Sequence, residues 1–229
     1  MMYTNDTFHP TLTNFPEHIA LIPDGGRRWA KKNGCTFYTS YLHSAELILQ
    51  LIDYTFLHGS KYFSIYCAST SNFKRSSSEI HDFCTVEWAF LDDTFLPYAL
   101  KNNIKIKIVG TNNDNLSPYK YNIDHLETLT ANGCKTVFFC FNYNSLDEID
   151  TALNQSHTTM GSFVNYLQIP HPVDILIRTG DANVLSGFLL PQISSARIFF
   201  IKNLFNDFSL EDFKSIINEY LNYELKYGD

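Results

Sequence analysis

The chain has no CxxC pair, no internal repeat, no low-complexity segment and no excess of positive charge. Each absence removes a class of protein. The five cysteines, Cys35, Cys67, Cys84, Cys134 and Cys140, are odd in number and scattered. That pattern argues against a zinc module or a disulfide framework, and it reads as free thiols in a reducing cytoplasm, mostly core filler. Lys and Arg number 17 against 24 Asp and Glu, a net charge of −7, which argues against nonspecific nucleic-acid binding. No apolar run is long enough to span a bilayer, and the start carries no secretory signal pattern. Residues 1–16 are polar with two prolines and read as a flexible N-terminal arm; 17–229 then form one domain.

What is present is apolar and aromatic. Hydrophobic residues make up 45% of the 229, with 19 Phe and 14 Tyr, enough to pack a sizeable core or line an apolar cavity. Six apolar runs read as buried strands: 18–22, 62–67, 104–109, 136–142, 173–177 and 197–201. The third, IKIKIV, alternates Ile with Lys and suits a sheet edge. Helical patterns fall between them at 43–58, 79–101, 120–131 and 145–154, and a last one, capped by Ser209, at 210–226. Ser76, Ser77 and Ser78 offer an N-cap to the second, with Glu79 in its first turn, and 155–171 reads as a surface excursion. Alternating strands and helices predict an α/β fold: a mostly parallel sheet of about six strands with helices on both faces. Ligands of such sheets bind beyond the C-terminal ends of the strands.

That rule collects the loops at Asp24, Ser69–Arg75, Asn142–Ser145 and Arg178–Ser186 on one rim, and three of them share a chemical theme. The first lies in HIALIPDGGRRWAKKNG, residues 18–34. A short buried strand ends at Asp24, Gly25 and Gly26 allow a tight turn, and Arg27 opens a helix. Strand, glycine turn and helix N-terminus present free backbone N–H groups to an anion, and Arg27 and Arg28 add charge-assisted bonds to phosphate oxygens. Asp24 repels a phosphate unless a divalent cation bridges the two or it handles a proton. An ordinary β–α loop with solvated basic residues reads from the same stretch. The second loop, SIYCASTSNFKR, gives hydroxyls, an amide and Arg75; the third, DILIRTGDANVLSGFLL, gives Arg178, a glycine turn and Ser186. Arginines, hydroxyls and glycines at strand ends suggest two phosphate-bearing groups, and the apolar strands behind them suggest an apolar tail.

These blocks resemble those of the cis-prenyltransferases, whose best-known member is undecaprenyl diphosphate synthase. HIALIPDGGRRWA matches the opening block; Tyr66, Ser69, Asn72, Phe73 and Arg75 match the second, with Glu79 following. Asp174, Ile177-Arg178-Thr179-Gly180, Ser186, Phe188 and Gln192 match the late block, and Lys226-Tyr227-Gly228 approximates the terminal Arg-x-Gly. The resemblance runs from about His18 to the C-terminus and implies a cis-prenyltransferase-like catalytic domain over 17–229, a homodimer and a cytoplasmic location. It implies Mg²⁺ at Asp24 and an allylic prenyl diphosphate held by Gly25, Gly26, Arg27 and Arg28 with Arg75 assisting. Ser69 and Asn72 fall beside the reacting carbons, so Asp24, Ser69 and Asn72 are the expected catalytic set. Arg178 and Ser186 would hold isopentenyl diphosphate, and Trp29 and Phe73 would wall the apolar side. Phe138, Phe139 and Phe141 would shorten the product by filling the tail tunnel.

The departures fall on chemical positions. Where the family has Asn and Gly the chain has Gly26 and Arg27; where it has Arg and His, Phe37 and Tyr41, with His43 two residues further on. The second late-block Arg is Val184, the Asn after Ser186 is Gly187, Ala182 and Asn183 replace a polar pair, and the downstream metal-binding Glu is Arg197. Arg197 can neutralise diphosphate directly, or pair with a surface acid such as Asp207. The first expectation is therefore a prenyltransferase acting on allylic diphosphates, with a short- or medium-chain product. Alternatives are an irregular or cyclising coupling of two allylic diphosphates, prenyl transfer to an acceptor other than isopentenyl diphosphate, and a non-catalytic partner subunit.

Overall fold

The computed structural model describes residues 14–75, 77–111, 116–159 and 162–222. Six parallel strands, β1 His18–Ile22, β2 Tyr62–Tyr66, β3 Ile104–Val109, β4 Lys135–Cys140, β5 Ile175–Arg178 and β6 Arg197–Phe200, form one sheet in the order β3-β4-β2-β1-β5-β6. The chain builds outward from β1 to one side, then returns to add β5 and β6 on the other. β1 is therefore the topological switch point, where an open parallel sheet leaves a crevice at its C-terminal edge. β3 is an edge strand, as its alternating lysines suggest: Ile104 and Ile106 are buried, and Lys107 pairs with Glu127 at 2.5 Å.

The two faces of the sheet follow from the side-chain period of two. Ile19, Leu21, Phe63, Ile65, Val137, Phe139, Ile175 and Ile177 point to one face. Helices cover that face: α2 Phe37–Leu57, α3 Ser77–Ala89, α4 Leu96–Lys101, α5 Lys120–Leu129 and α7 Leu210–Leu221. Ala20, Ile22, Phe138, Cys140 and Leu176 point to the other, against Ile169, Val173, Phe188, Leu189 and Ile193. That second cover comes largely from the irregular segment between α6 (Ser145–Thr159) and β6 rather than from a helical layer.

Several boundaries differ from the sequence expectation, each for a local reason. α2 begins at Phe37 because Thr36 caps it, its Oγ1 accepting from Thr39 N–H at 3.2 Å. The buried face of its first turns is Ser40 and Ser44, which hide the apolar period. The helical pattern at 79–101 is not one helix. α3 widens into a π-turn at Phe90–Phe95, and α4 restarts with Pro97 in its first turn, where a ring that lacks an N–H is tolerated. Residues 162–171 are not an excursion: Leu167 and Ile169 are buried, and Glu148 accepts from the N–H groups of Gln168 and Ile169. Phe15 stacks on His58 and Pro16 is buried, so these two residues of the expected arm pack on the domain. The rest of that arm, the cap at Ser76–Ser78 and the Lys226–Gly228 signature lie outside the described residues or side chains. All five cysteines are free.

Candidate active site

The site grows from the end of β1. Gly25 has φ +120°, and a Cβ there would lie 2.9 Å from Leu204, so both the turn and the close approach demand glycine. Gly25 is the N-cap of α1 (Gly26–Asn33), and no side chain caps that end. The first N–H groups of α1 therefore face the crevice without a helical partner. Asp24 is fixed through its carbonyl, which accepts from Phe205 N–H at 3.0 Å and Thr179 Oγ1 at 2.9 Å. Its carboxylate lies between two guanidiniums, Arg28 Nη2 at 3.2 Å from Oδ1 and Arg178 Nη2 at 3.0 Å from Oδ2. Arg27 reaches across to Glu79, in the first turn of α3, at 2.5 Å.

The neighbouring strands supply the rest of the rim. After β2, Ser69 N–H and Oγ both donate to Asn72 Oδ1, at 2.8 and 2.9 Å, a small turn that aims the Asn72–Arg75 segment at the crevice. At the end of β5, Arg178 is buried; its Nη1 donates to Ser186 Oγ and to the Val184 carbonyl, each at 2.7 Å, while its Nε has no partner. Gly180 has φ +89°, and a Cβ there would come within 2.6 Å of Arg28 Nη2, so glycine is what lets the β1 and β5 loops meet. Ser186 adopts φ +53°, and its carbonyl accepts from Tyr66 OH at 3.0 Å.

These loops close one end of a cavity of about 500 Å³. Asp24, Gly25, Gly26, Arg27, Arg28, Ser69, Asn72, Arg75, Arg178 and Ser186 line its mouth, and Phe73 joins Ile48, Ile65, Phe83, Phe90 and Phe139 in its apolar wall. Polar groups and positive charge at one end and hydrocarbon at the other form a container for an amphiphile with an anionic head.

Two proteins and two structures set this geometry in context. The model of the undecaprenyl diphosphate synthase family matches residues 22–228. The chain belongs to that family. Isoprenyl transferases of Helicobacter hepaticus and Fusobacterium nucleatum are each 30% identical over 94% of this chain, and over 98% and 96% of their own length. A probable undecaprenyl diphosphate synthase from Campylobacter jejuni superposes with a TM-score of 0.77 at 26% identity, covering 95% of this chain and all of the other. Lavandulyl diphosphate synthase from Lavandula x intermedia, solved with dimethylallyl diphosphate, shares the fold with a TM-score of 0.82 at 23% identity, over 94% and 99% of the chains. The chain is a prenyltransferase of this family, and none of its helices among the described residues is long and apolar enough to cross a membrane.

Four expected site residues lie elsewhere. Trp29 turns away from the cavity, stacks on His43 at 5.3 Å and donates to Asp207, so Phe73 walls the tail without it. Arg197 opens β6, level with Ile175, whereas Arg178 is level with Phe200. It stands three residues, about 10 Å, from the Arg178 end of the sheet, and it pairs with Glu219 and covers the Phe199 ring rather than facing its own chain's cavity. The expected pairing with Asp207 is not the one formed. Of the three phenylalanines of β4 and its end, Phe139 lines the cavity. Phe138 points to the opposite face, and Phe141 stacks on Trp88 at 5.4 Å. The period of two turns Phe138 away; Phe141 shares the face of Phe139 but lies beyond the end of β4. Of the polar wall residues, Tyr41 stood out in the sequence only as a departure from a family His, and Glu87 had no signal, because only the fold places it on a cavity.

A divalent cation fits this donor set as a diphosphate complex, not as a cage of protein ligands. Among the described residues no three His, Cys, Asp or Glu side chains converge. Asp24 presents a partly exposed carboxylate at the mouth, and Mg²⁺ is commonly held by one or two carboxylates together with substrate phosphates.

Proposed function

We propose that this chain transfers a short prenyl group from an allylic diphosphate, and that the head binds where β1 meets α1. The observation that carries this reading is the pairing of four guanidiniums and an uncapped helix N-terminus with an apolar cavity. The α1 N–H groups, Arg27, Arg28 and Arg75 hold the two phosphates. Arg27 and Arg28 are about half exposed, so a phosphate oxygen can replace a carboxylate as partner. Asp24 would hold Mg²⁺, which when bound supplies positive charge to the leaving diphosphate. The allylic C–O bond breaks with its electron pair leaving on the diphosphate. The cation is attacked by the double bond of an acceptor, and the adduct loses a proton. The guanidiniums stabilise the charge that develops on the leaving oxygen. Ser69 and Asn72, locked to each other, orient the reacting end, and Phe73 and Phe139 keep water from the cation.

A cavity of about 500 Å³ suits a short or medium tail rather than an undecaprenyl chain. A second reading, an acceptor other than isopentenyl diphosphate or an irregular or cyclising coupling, is favoured by Val184. That side chain is exposed at a position where the resemblance implies an arginine, leaving Arg178 and Ser186 to hold a second head. We further propose a cytoplasmic homodimer built on the β6 edge, where Phe200 is exposed. A monodisperse monomer in sedimentation at micromolar concentration would remove that assembly. The function is tested by incubating the protein with dimethylallyl, geranyl and farnesyl diphosphates, each with and without isopentenyl diphosphate and Mg²⁺, and reading products by mass spectrometry. Release of diphosphate with a prenylated product is expected; no consumption of any allylic diphosphate would overturn the reading.

A further inference from the structure

α3 presents Glu79, Ile80, Phe83, Val86 and Glu87 to the cavity, and Phe90 continues the same face beyond its end. The spacing is that of one helical stripe, so these positions mark depth along the wall. Glu79 is at the mouth, bonded to Arg27. Glu87 is eight residues on, about 12 Å deeper along the axis. It shares the wall with Ile48, Ile65, Phe83, Phe90 and Phe139. Its side chain makes no hydrogen bond or ion pair among the described residues. Loss of water alone raises its carboxyl from 4.5 to about 7. The titratable groups that face it are Tyr41 from α2, Cys67 after β2 and Cys84 on α3; each is pushed up, burial being the main cause and the Glu87 charge a contributor. Arg27 and Arg75 act on Tyr41, nearer the mouth.

An unpartnered acid in a hydrocarbon wall carries a cost that a leucine would not. Hydrocarbon laid against it removes the remaining water and raises that cost, more steeply once the acid is ionised. We propose, resting on the prenyl diphosphate reading, that Glu87 sets the far limit of the tail cavity and excludes prenyl chains that would pass it. An extended isoprene unit spans four carbon–carbon bonds, about 5 Å, so a depth of about 12 Å admits roughly two units. Tails of one or two units stop short of the carboxyl; a third must lie on it.

The test measures calorimetric binding of dimethylallyl, geranyl and farnesyl S-thiolodiphosphates, which do not ionise readily, at about pH 6 and about pH 8, either side of the shifted titration. Farnesyl affinity is expected to fall about tenfold between the two pH values relative to dimethylallyl, whose tail never reaches Glu87. Glu87→Gln keeps the shape and should remove the pH term. Glu87→Leu should remove it and strengthen farnesyl binding at the higher pH by about tenfold. Mass spectrometry of the products of Glu87→Leu should show longer chains. Equal pH dependence for all three tails, or farnesyl binding unchanged in both variants, overturns the proposal. If no diphosphate binds any form, the prenyl diphosphate reading is what fails; the same series with geraniol and farnesol then reads the tail limit by itself.

Discussion

At the C-terminal ends of the strands, Asp24, Arg27, Arg28 and Glu79 pair through side chains a third to a half exposed. At the N-terminal ends, His18 is almost fully buried between the Pro172 carbonyl, 3.0 Å from Nδ1, and Ser64 Oγ, 2.7 Å from Nε2. A carbonyl only accepts, so Nδ1 carries the proton and Nε2 accepts from the serine. On the same rim Asp174 Oδ2 accepts the N–H groups of Glu17 and His18, and Arg197 is paired with Glu219. Both rims therefore own acids, arginines and a polar anchor. The far rim has exposed ion pairs too, Lys61 with Glu17 and Arg197 with Glu219. What sets the first rim apart is where its pairs lie, beside a helix end with free N–H groups and at the mouth of an apolar cavity. Placement, rather than residue type or exposure, marks the rim proposed for chemistry.

The strongest way to break that contrast is Asp24→Asn, which keeps the shape and removes the charge. Turnover should fall by about a hundred- to a thousandfold, the loss typical of a group that stabilises developing charge. Circular dichroism and the melting temperature should show a folded protein. A variant retaining more than about a tenth of the wild-type rate, less than ~1.4 kcal/mol of barrier, would remove Asp24 from the machinery.

The closed rim answers to pH. Burial holds His18 at about 4 against an ordinary 6.5. Below pH 6.5 the unfolded chain takes a proton that the folded chain refuses, so stability is fully present above 6.5 and declines as pH falls toward 4. The loss attributable to His18 is on the order of 3 kcal/mol across that window. Denaturant unfolding at several pH values should show it. His18→Gln should be less stable near neutrality and flatter below; an unchanged acid slope in that variant would mean His18 is not the responsible group.

The same contrast explains what could be read from sequence. Strand runs, glycine turns and strand-end arginines are local patterns, so the parallel α/β sheet and most of the mouth were legible, from Asp24 through Arg75 to Arg178 and Ser186. Gly25 shows both sides: its positive φ follows from a strand that must turn into a helix, whereas the close approach of Leu204, from the segment after β6, is tertiary. Which rim a residue joins is not local. Arg197 is the first residue of its strand rather than the last, and a difference of three residues moves it to the far rim. Trp29 lies five residues past Asp24 but on the outer side of α1, against His43. Glu87 looked like one more acid on an amphipathic helix until the fold placed its stripe against a cavity. The 79–101 pattern reads as one helix, yet the fold breaks it with a π-turn at Phe90–Phe95 before a new helix that carries Pro97 in its first turn.

A gain-of-charge variant sharpens the comparison within the open rim. Val184 is 57% exposed and its carbonyl already accepts from Arg178, so Val184→Arg adds a cation without disturbing the core. A charge-assisted bond contributes about 1.5–3 kcal/mol, and at this exposure the lower end applies, about tenfold in KM for isopentenyl diphosphate. If the unmodified chain already elongates with isopentenyl diphosphate at micromolar KM, the irregular-coupling reading fails. If neither form uses it, the second head belongs to a different acceptor.

The smallest expected effect tests the far rim directly. Arg197→Ala removes a guanidinium whose partners, Glu219 and the Phe199 ring, belong to β6 and α7. Its side chain is 26% exposed and that of Glu219 61%, so the pair contributes about 1 kcal/mol or less to stability. Turnover and its Mg²⁺ dependence should stay within about threefold of wild type, since the nearest route to the mouth runs about 10 Å along β6. A loss beyond tenfold would show that Arg197 enters the site of a second copy across the β6 edge. Mixing Arg197→Ala with Asp24→Asn then decides between the two. If Arg197 serves a neighbour, a mixed dimer pairs one intact Asp24 with one intact Arg197 and recovers activity that neither variant has alone. If each chain is complete in itself, mixing recovers nothing.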